Sequence, residues 1–164
     1  MANSQFVYVT YIRTTPDKLW AALITPDAIR AYWNGAFHQS SWQLGASWTL
    51  VLPDGRVADT GEVLEYDEPR RLAVSWRNEF KEELLAEGYS RCRWEIEPDA
   101  GDVVKLAVTH EIDVADSKFI AAAANSWPAI LAGLKTLLET GEPLDMSHHW
   151  PSKKLRAELV QPPR

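Results

Sequence analysis

The chain has 164 residues, is 46% hydrophobic, carries a formal net charge of −6 and contains one cysteine, Cys92. That length suits one domain with a sizeable core rather than two, and the apolar share excludes a disordered chain. No run of Lys or Arg exceeds two, no apolar stretch approaches the roughly 20 residues of a bilayer span, and a lone cysteine forms no internal disulfide, so nucleic-acid binding, a membrane span and a disulfide scaffold are all excluded.

Phe6 to Arg13 is rich in β-branched and aromatic residues and predicts a strand. Thr15-Pro16-Asp17 predicts a helix start: Thr15 suits the N-cap, Pro16 the first helical position and Asp17 the positive end of the dipole. Leu19, Trp20 and Leu23 form its apolar side. Thr25-Pro26-Asp27 repeats the signal, with Ile29, Tyr32 and Trp33 at helical spacing and Gly35 as the stop. Trp33 is expected to anchor this second helix. Strands are then expected over Ser47 to Leu52, Val57 to Tyr66 and Arg71 to Arg77, joined by the turns Pro53-Asp54-Gly55 and Asp67-Glu68-Pro69. Asn78 to Glu87 is charged and irregular and reads as a solvated loop that could border a pocket. Tyr89 to Glu97 and Val103 to Ile112 read as a hairpin across Pro98 to Asp102.

A long helix follows, capped by Asp116 or Ser117. Phe119, Ile120, Ala123, Trp127, Ile130, Leu131, Leu134, Leu137 and Leu138 keep a 3.6-residue period. Pro128 falls inside it. An interior proline costs roughly 3 kcal/mol, which predicts a kink or a short break capped by Ser126. Gly141 and Pro143 end the helix. Beyond it, Ser152 to Leu159 suits two helical turns of a surface tail, and the adjacent His148 and His149 do not converge on one ion.

Period-two spacing sorts the strand faces. Val104, Leu106, Val108, His110 and Ile112 face inward on one strand, Cys92, Trp94 and Ile96 on the next, and Leu72, Val74 and Trp76 on a third. The Val57 to Tyr66 strand stays undecided. With Gly61 and Val63 inward, Asp59 and Glu65 share their side; with Leu64 and Tyr66 inward, Glu62 does. His110 has two readings: a cavity group that orients a ligand, or a core histidine bonded to a neighbour on the helix or adjacent strand. Cys92 reads as a small buried hydrophobe, and Trp42 and Trp48 as bordering the opening.

Tyr8 to Arg13, Pro16 to Leu23 with Thr25-Pro26, Tyr32-Trp33, Gly61 to Asp67 with Pro69 to Leu72, and Ser126 to Leu131 with Leu134 to Gly141 together resemble the bacterial proteins named after the activator of heat-shock protein 90 ATPase. These belong to the SRPBCC, START-related superfamily. The resemblance covers about Phe6 to Leu144, and position 126 is Ser where many relatives have Gly. It implies an α+β helix-grip (START/Bet v-like) fold: a curved antiparallel sheet of six or seven strands around a long C-terminal helix, with two short helices after strand one. The expected domain spans residues 6–144, with a tail over 145–164.

The resemblance further implies a hydrophobic ligand cavity between sheet and helix, and it transfers no catalytic motif. The expected function is non-enzymatic binding of a small hydrophobic or aromatic molecule. The expected lining is Trp48, Val63, Trp76, Trp94, Val108, His110, Trp127, Leu131 and Leu134. No catalytic residue, metal or cofactor is assigned. A chaperone-associated interaction module and a cyclase- or hydrolase-like enzyme are the alternatives. Met1 to Gln5 lacks a basic region ahead of an apolar stretch, and the single cysteine suits a reducing compartment, so a cytoplasmic monomer or homodimer is expected.

Overall fold

The computed structural model describes residues 3–145, so His148, His149 and the helical turns expected over Ser152 to Leu159 lie outside the described residues. Seven strands form one antiparallel sheet: β1 (Ser4–Arg13), β2 (Phe37–Ser40), β3 (Ser47–Val51), β4 (Val57–Asp67), β5 (Arg71–Asn78), β6 (Ser90–Pro98) and β7 (Val103–Ile112). Their spatial order is β1-β7-β6-β5-β4-β3-β2. Helices α1 (Pro16–Ile24) and α2 (Pro26–Tyr32) follow β1, α3 (Glu82–Leu85) follows β5, and α4 (Lys118–Thr140) closes the fold against β1, β7, α1 and α2. This is the α+β helix-grip architecture. No described helix is long and apolar enough to cross a membrane.

The local signals act as expected. Thr15 Oγ1 accepts from the Lys18 amide at 3.3 Å, with Pro16 starting α1. Ser117 Oγ accepts from the Ile120 amide at 3.0 Å at the start of α4, and Gly141 ends that helix at φ 88°, where a side chain would be strained. On β7 the even-numbered residues are buried throughout. The outer face is held by exposed ion pairs such as Arg91 with Glu111 and Asp113 and Arg93 with Glu95, each contributing about 1 kcal/mol or less.

Three features depart from the sequence expectation. Helix α4 runs from Lys118 to Thr140 without a break at Pro128. Burial of Phe119, Ile120 and Trp127 before the proline, and of Ile130, Leu131 and Leu134 after it, outweighs the lost hydrogen bond. Phe37–Ser40 forms an edge strand that four residues of mixed polarity did not announce. The segment expected as a loop contains α3, which buries Leu84.

Strand β4 resolves its own ambiguity by changing phase. Val63 pairs with Val74 but Glu65 pairs with Ala73, so Leu64 is bulged out and exposed. Before the bulge Asp59 and Val63 point inward; after it Tyr66 does, packing edge-on against Trp20 at 5.2 Å. The first facing pattern therefore holds up to Val63, whereas of the second only Tyr66 turns inward, Glu62 and Leu64 being exposed. Gly61, opposite Trp48, has no alternative residue: a Cβ there would lie 1.7 Å from the Ser75 carbonyl oxygen.

Candidate functional site

A second irregularity of β4 sets the site. Leu50 pairs with Asp59 and Val51 with Val57, which leaves Ala58 as an extra residue. Ala58 and Asp59 are consequently both buried, although neighbouring strand residues ordinarily face opposite ways. Asp59 pairs across the sheet with Asn78, the last residue of β5. Asn78 Nδ2 donates to Asp59 Oδ1 at 2.8 Å. Asn78 Oδ1 accepts from the amides of Phe80 at 3.3 Å and Lys81 at 2.9 Å. This side-chain turn steers the chain off the sheet and into α3.

The turn carries Phe80, Lys81 and Leu84 to one side of a cavity of about 280 Å³, and the first half of α4 forms the other. The two sides are fastened together. The Glu87 carboxylate accepts from Ser117 Oγ at 2.6 Å, Lys118 N at 2.8 Å and Phe119 N at 3.3 Å. Lys118 Nζ also meets Glu83 at 3.1 Å. An anionic side chain satisfying amides at a helix N-terminus is favoured by both hydrogen bonding and the dipole.

The cavity wall is aromatic. Trp76 sits among other rings, 4.5 Å from Trp48, 6.1 Å from Trp33, 5.3 Å from His110 and 5.8 Å from Trp127. Of the nine residues expected to line a pocket, Trp76, His110 and Trp127 are on this wall. Trp48, Val63, Trp94, Val108, Leu131 and Leu134 are buried in the adjoining packed core, off the wall. Trp33 lines the cavity from the end of α2, and Phe119 from α4.

His110 is fully engaged. Its Nδ1 accepts from the Trp127 indole N–H at 3.2 Å, and an indole nitrogen can only donate. The ring proton is therefore on Nε2, which donates to Ser90 Oγ at 2.8 Å. Ser90 Oγ in turn donates to the Trp76 carbonyl at 2.8 Å. Burial lowers the His110 pKa to about 3, so the ring is neutral. It offers the cavity its edge and face, with no nitrogen free. Ser90 receives a proton donor from His110 rather than a base, so the two cannot act as a nucleophile pair. Burial also pushes the Cys92 thiol up, away from thiolate chemistry.

Asp59 is the contrasting group. Burial pushes its carboxyl up to about 7, against hydrogen bonds from Trp76 and Asn78 that favour the ionised form. Glu79, which bonds Thr60 and Arg77 rather than lining the cavity, adds a repulsive charge. Glu62 is exposed, and Glu65 turns to Arg71 at 3.5 Å, so neither joins Asp59 in the cavity. Among the described residues no three His, Cys, Asp or Glu side chains converge to hold a metal.

Reading the strands by period two overlooked Asn78, Phe80, Leu84 and Phe119 as site residues. One signal was present: Phe80, Leu84 and Leu85 are apolar residues inside a charged segment, which a purely solvated loop does not need.

The fold and cavity define a helix-grip domain with an aromatic chamber between its sheet and C-terminal helix. The family described as Activator of Hsp90 ATPase homolog 1-like protein matches residues 13–139, and the chain belongs to that family. Among solved structures, protein MLL2253 from Mesorhizobium loti is 20% identical with a TM-score of 0.70, covering 82% of this chain and 96% of its own. An HSP90 activator from Plasmodium falciparum, PFC0360w, is 19% identical with a TM-score of 0.67, covering 82% and 95%. DynU16, a putative protein in the dynemicin biosynthetic locus, is 20% identical with a TM-score of 0.66, covering 85% of this chain and 48% of its own. These likenesses are ones of fold. No curated relative matches the chain in sequence.

Proposed function

We propose that the protein binds a small, largely apolar aromatic molecule in the chamber between β5, β7 and α4 without transforming it. The observation that carries this reading is the cavity of about 280 Å³ walled by Trp33, Trp76 and Trp127. Its size, near the lower end of ligand pockets, suits a molecule of one or two rings. Removing about 200 Å² of aromatic surface from water contributes about 5 kcal/mol, against which the ordering costs of association are set. The bonded state of His110 supports binding over chemistry, because it has no nitrogen free to move a proton.

Native mass spectrometry of freshly purified protein tests the reading. A retained small molecule is expected, lost in Ala123→Phe, which fills the chamber from α4. If wild type and variant carry the same adduct above their own polypeptide masses, or none, and 2-phenylethanol binds neither in a calorimetric titration, the reading fails.

A second reading, modulation of a chaperone ATPase, is favoured by one observation. Val7, Val9 and Tyr11 project from edge strand β1 as an exposed apolar stripe on the outer face. Stimulation of a heat-shock protein 90 ATPase by the wild type, lost in Val9→Glu, is the expected result; an unchanged rate ends this reading.

A further inference from the structure

We propose that the molecule held in the chamber is an organic cation, a protonated amine on a small aromatic body, and that Asp59 is its counter-ion. This deepens the binding reading above and rests on it.

Asp59 is a buried acid without a cationic partner among the described residues. Asp59 is 5% exposed, and the groups that bond it, Asn78 and the Trp76 indole, are neutral donors. A buried carboxylate ordinarily has a cation beside it, because desolvation costs several kcal/mol that neutral donors do not recover. Among the described residues none is supplied. The charge acting on Asp59 is Glu79, of the same sign, and Glu79 is already occupied by Arg77 at 2.8 Å and by the Thr60 hydroxyl. From β7, His110 faces the chamber as a neutral ring. From α4, Asn125 and Ser126 are uncharged, and from β3 the residue opposite Asp59 is Leu50. Lys81 stands at the exposed rim and is not among the groups that act on Asp59.

The walls have the matching character. Trp33, Trp76 and Trp127 surround the space next to Asp59, with Trp33 and Trp127 5.6 Å apart and edge-to-face. Indole faces attract cations, most strongly where water is excluded. An anionic ligand would instead meet the Asp59 carboxylate, a charge of its own sign. A neutral ligand would leave the ionised carboxylate as unpaired as before.

The charge on Asp59 changes within an accessible pH range. With its pKa at about 7, Asp59 is about one-tenth ionised at pH 6 and about nine-tenths ionised at pH 8. An amine of ordinary basicity stays protonated across that range. Its affinity should therefore rise about tenfold from pH 6 to pH 8 as the carboxyl sheds its proton.

The test is calorimetric titration with three matched probes: phenethylamine, 2-phenylethanol and 3-phenylpropionate. At pH 8 the wild type should bind the amine at least tenfold more tightly than the alcohol, and the carboxylate most weakly. Asp59→Asn should lose the preference for the amine while keeping the alcohol's affinity. The amine's tenfold gain from pH 6 to pH 8 should be absent for the alcohol; should Asp59→Asn not fold, this wild-type pH profile decides alone. If the alcohol or the carboxylate binds as tightly as the amine, the cation assignment is overturned and the ligand chamber stands. If none of the three binds at millimolar concentration, both fall.

Discussion

The Trp127 indole donates to His110 Nδ1 at 3.2 Å, joining the middle of α4 to β7 through two buried side chains. That one bond dictates which ring nitrogen of His110 holds its proton. It thereby directs Ser90 to the Trp76 carbonyl and ties three strands to the helix. Removing the donor should show what the bond contributes. Trp127→Phe keeps much of the aromatic volume but leaves Nδ1 buried and unpaired, a cost of about 1–3 kcal/mol, readable as a lower urea midpoint. An unchanged midpoint would mean that His110 finds another donor.

Two buried histidines should govern the acid limb of stability. Burial depresses both His38 and His110 to about 3. The unfolded chain therefore takes up more protons below pH 6.5, and their contribution is present above 6.5 and lost as pH falls. From pH 6.5 to pH 5 the pair should cost about 3 kcal/mol, while Asp59, raised to about 7, works the other way and offsets about 2 kcal/mol. His38 has a buried Nε2 without a partner and sits 4.9 Å from Trp33 and 5.2 Å from Trp48. His38→Phe should accordingly flatten the stability profile over this interval. Urea unfolding at pH 5 and 6.5 measures it; a variant as acid-sensitive as the wild type contradicts the burial account.

Asp59 has the opposite sign at higher pH. Its folded pKa lies above the unfolded value, so the protein loses stability as pH rises toward 7. Asp59→Asn should be more stable than wild type at pH 8, by up to about 4 kcal/mol, with the gain disappearing near pH 4. Thermal melts at the two pH values provide the comparison.

Gly61 is expected to tolerate no side chain. The Ser75 carbonyl oxygen occupies the place of a Cβ at 1.7 Å, and it is backbone that cannot step aside. Gly61→Ala should separate β4 from β5 and cost more than about 4 kcal/mol, in the range that unfolds a marginal domain. A soluble variant with a native circular dichroism spectrum and melting point would refute this.

Glu87 fastens α3 to the start of α4 through three hydrogen bonds. Glu87→Ala should leave two amides and a hydroxyl seeking partners and cost about 1–2 kcal/mol. The loss should be local. Amide hydrogen exchange should accelerate over residues 79–88 and at the first turn of α4, while β6 and β7 stay protected. Uniform acceleration would place the latch in the global core instead.

Much of the fold was legible because local rules and tertiary packing agree. Thr15 and Ser117 cap their helices and Pro16 starts α1, and the alternation on β7 survives intact because that strand pairs regularly along its whole length. Where the two disagree, local reading fails. Pro128 predicts a kink or a short break, and with apolar contacts on both sides of it α4 continues without the break. Edge strand β2 lacks a strand-like run of its own and exists because β3 offers it partners.

The site follows the same division. That His110, Trp76 and Trp127 face one interior is inherent in the sequence, since the side-chain period of a strand or helix fixes which residues share a side. That Asp59 joins them is not, because each bulge on β4 inserts one residue and reverses the facing beyond it, and where a bulge forms depends on the neighbouring strands. The amino-acid order alone thus determined the helix caps, the run of strands and the aromatic stock of the interior. The assembled sheet decided which carboxyl is buried among the rings, because strand register is a property of pairs of strands and not of either one.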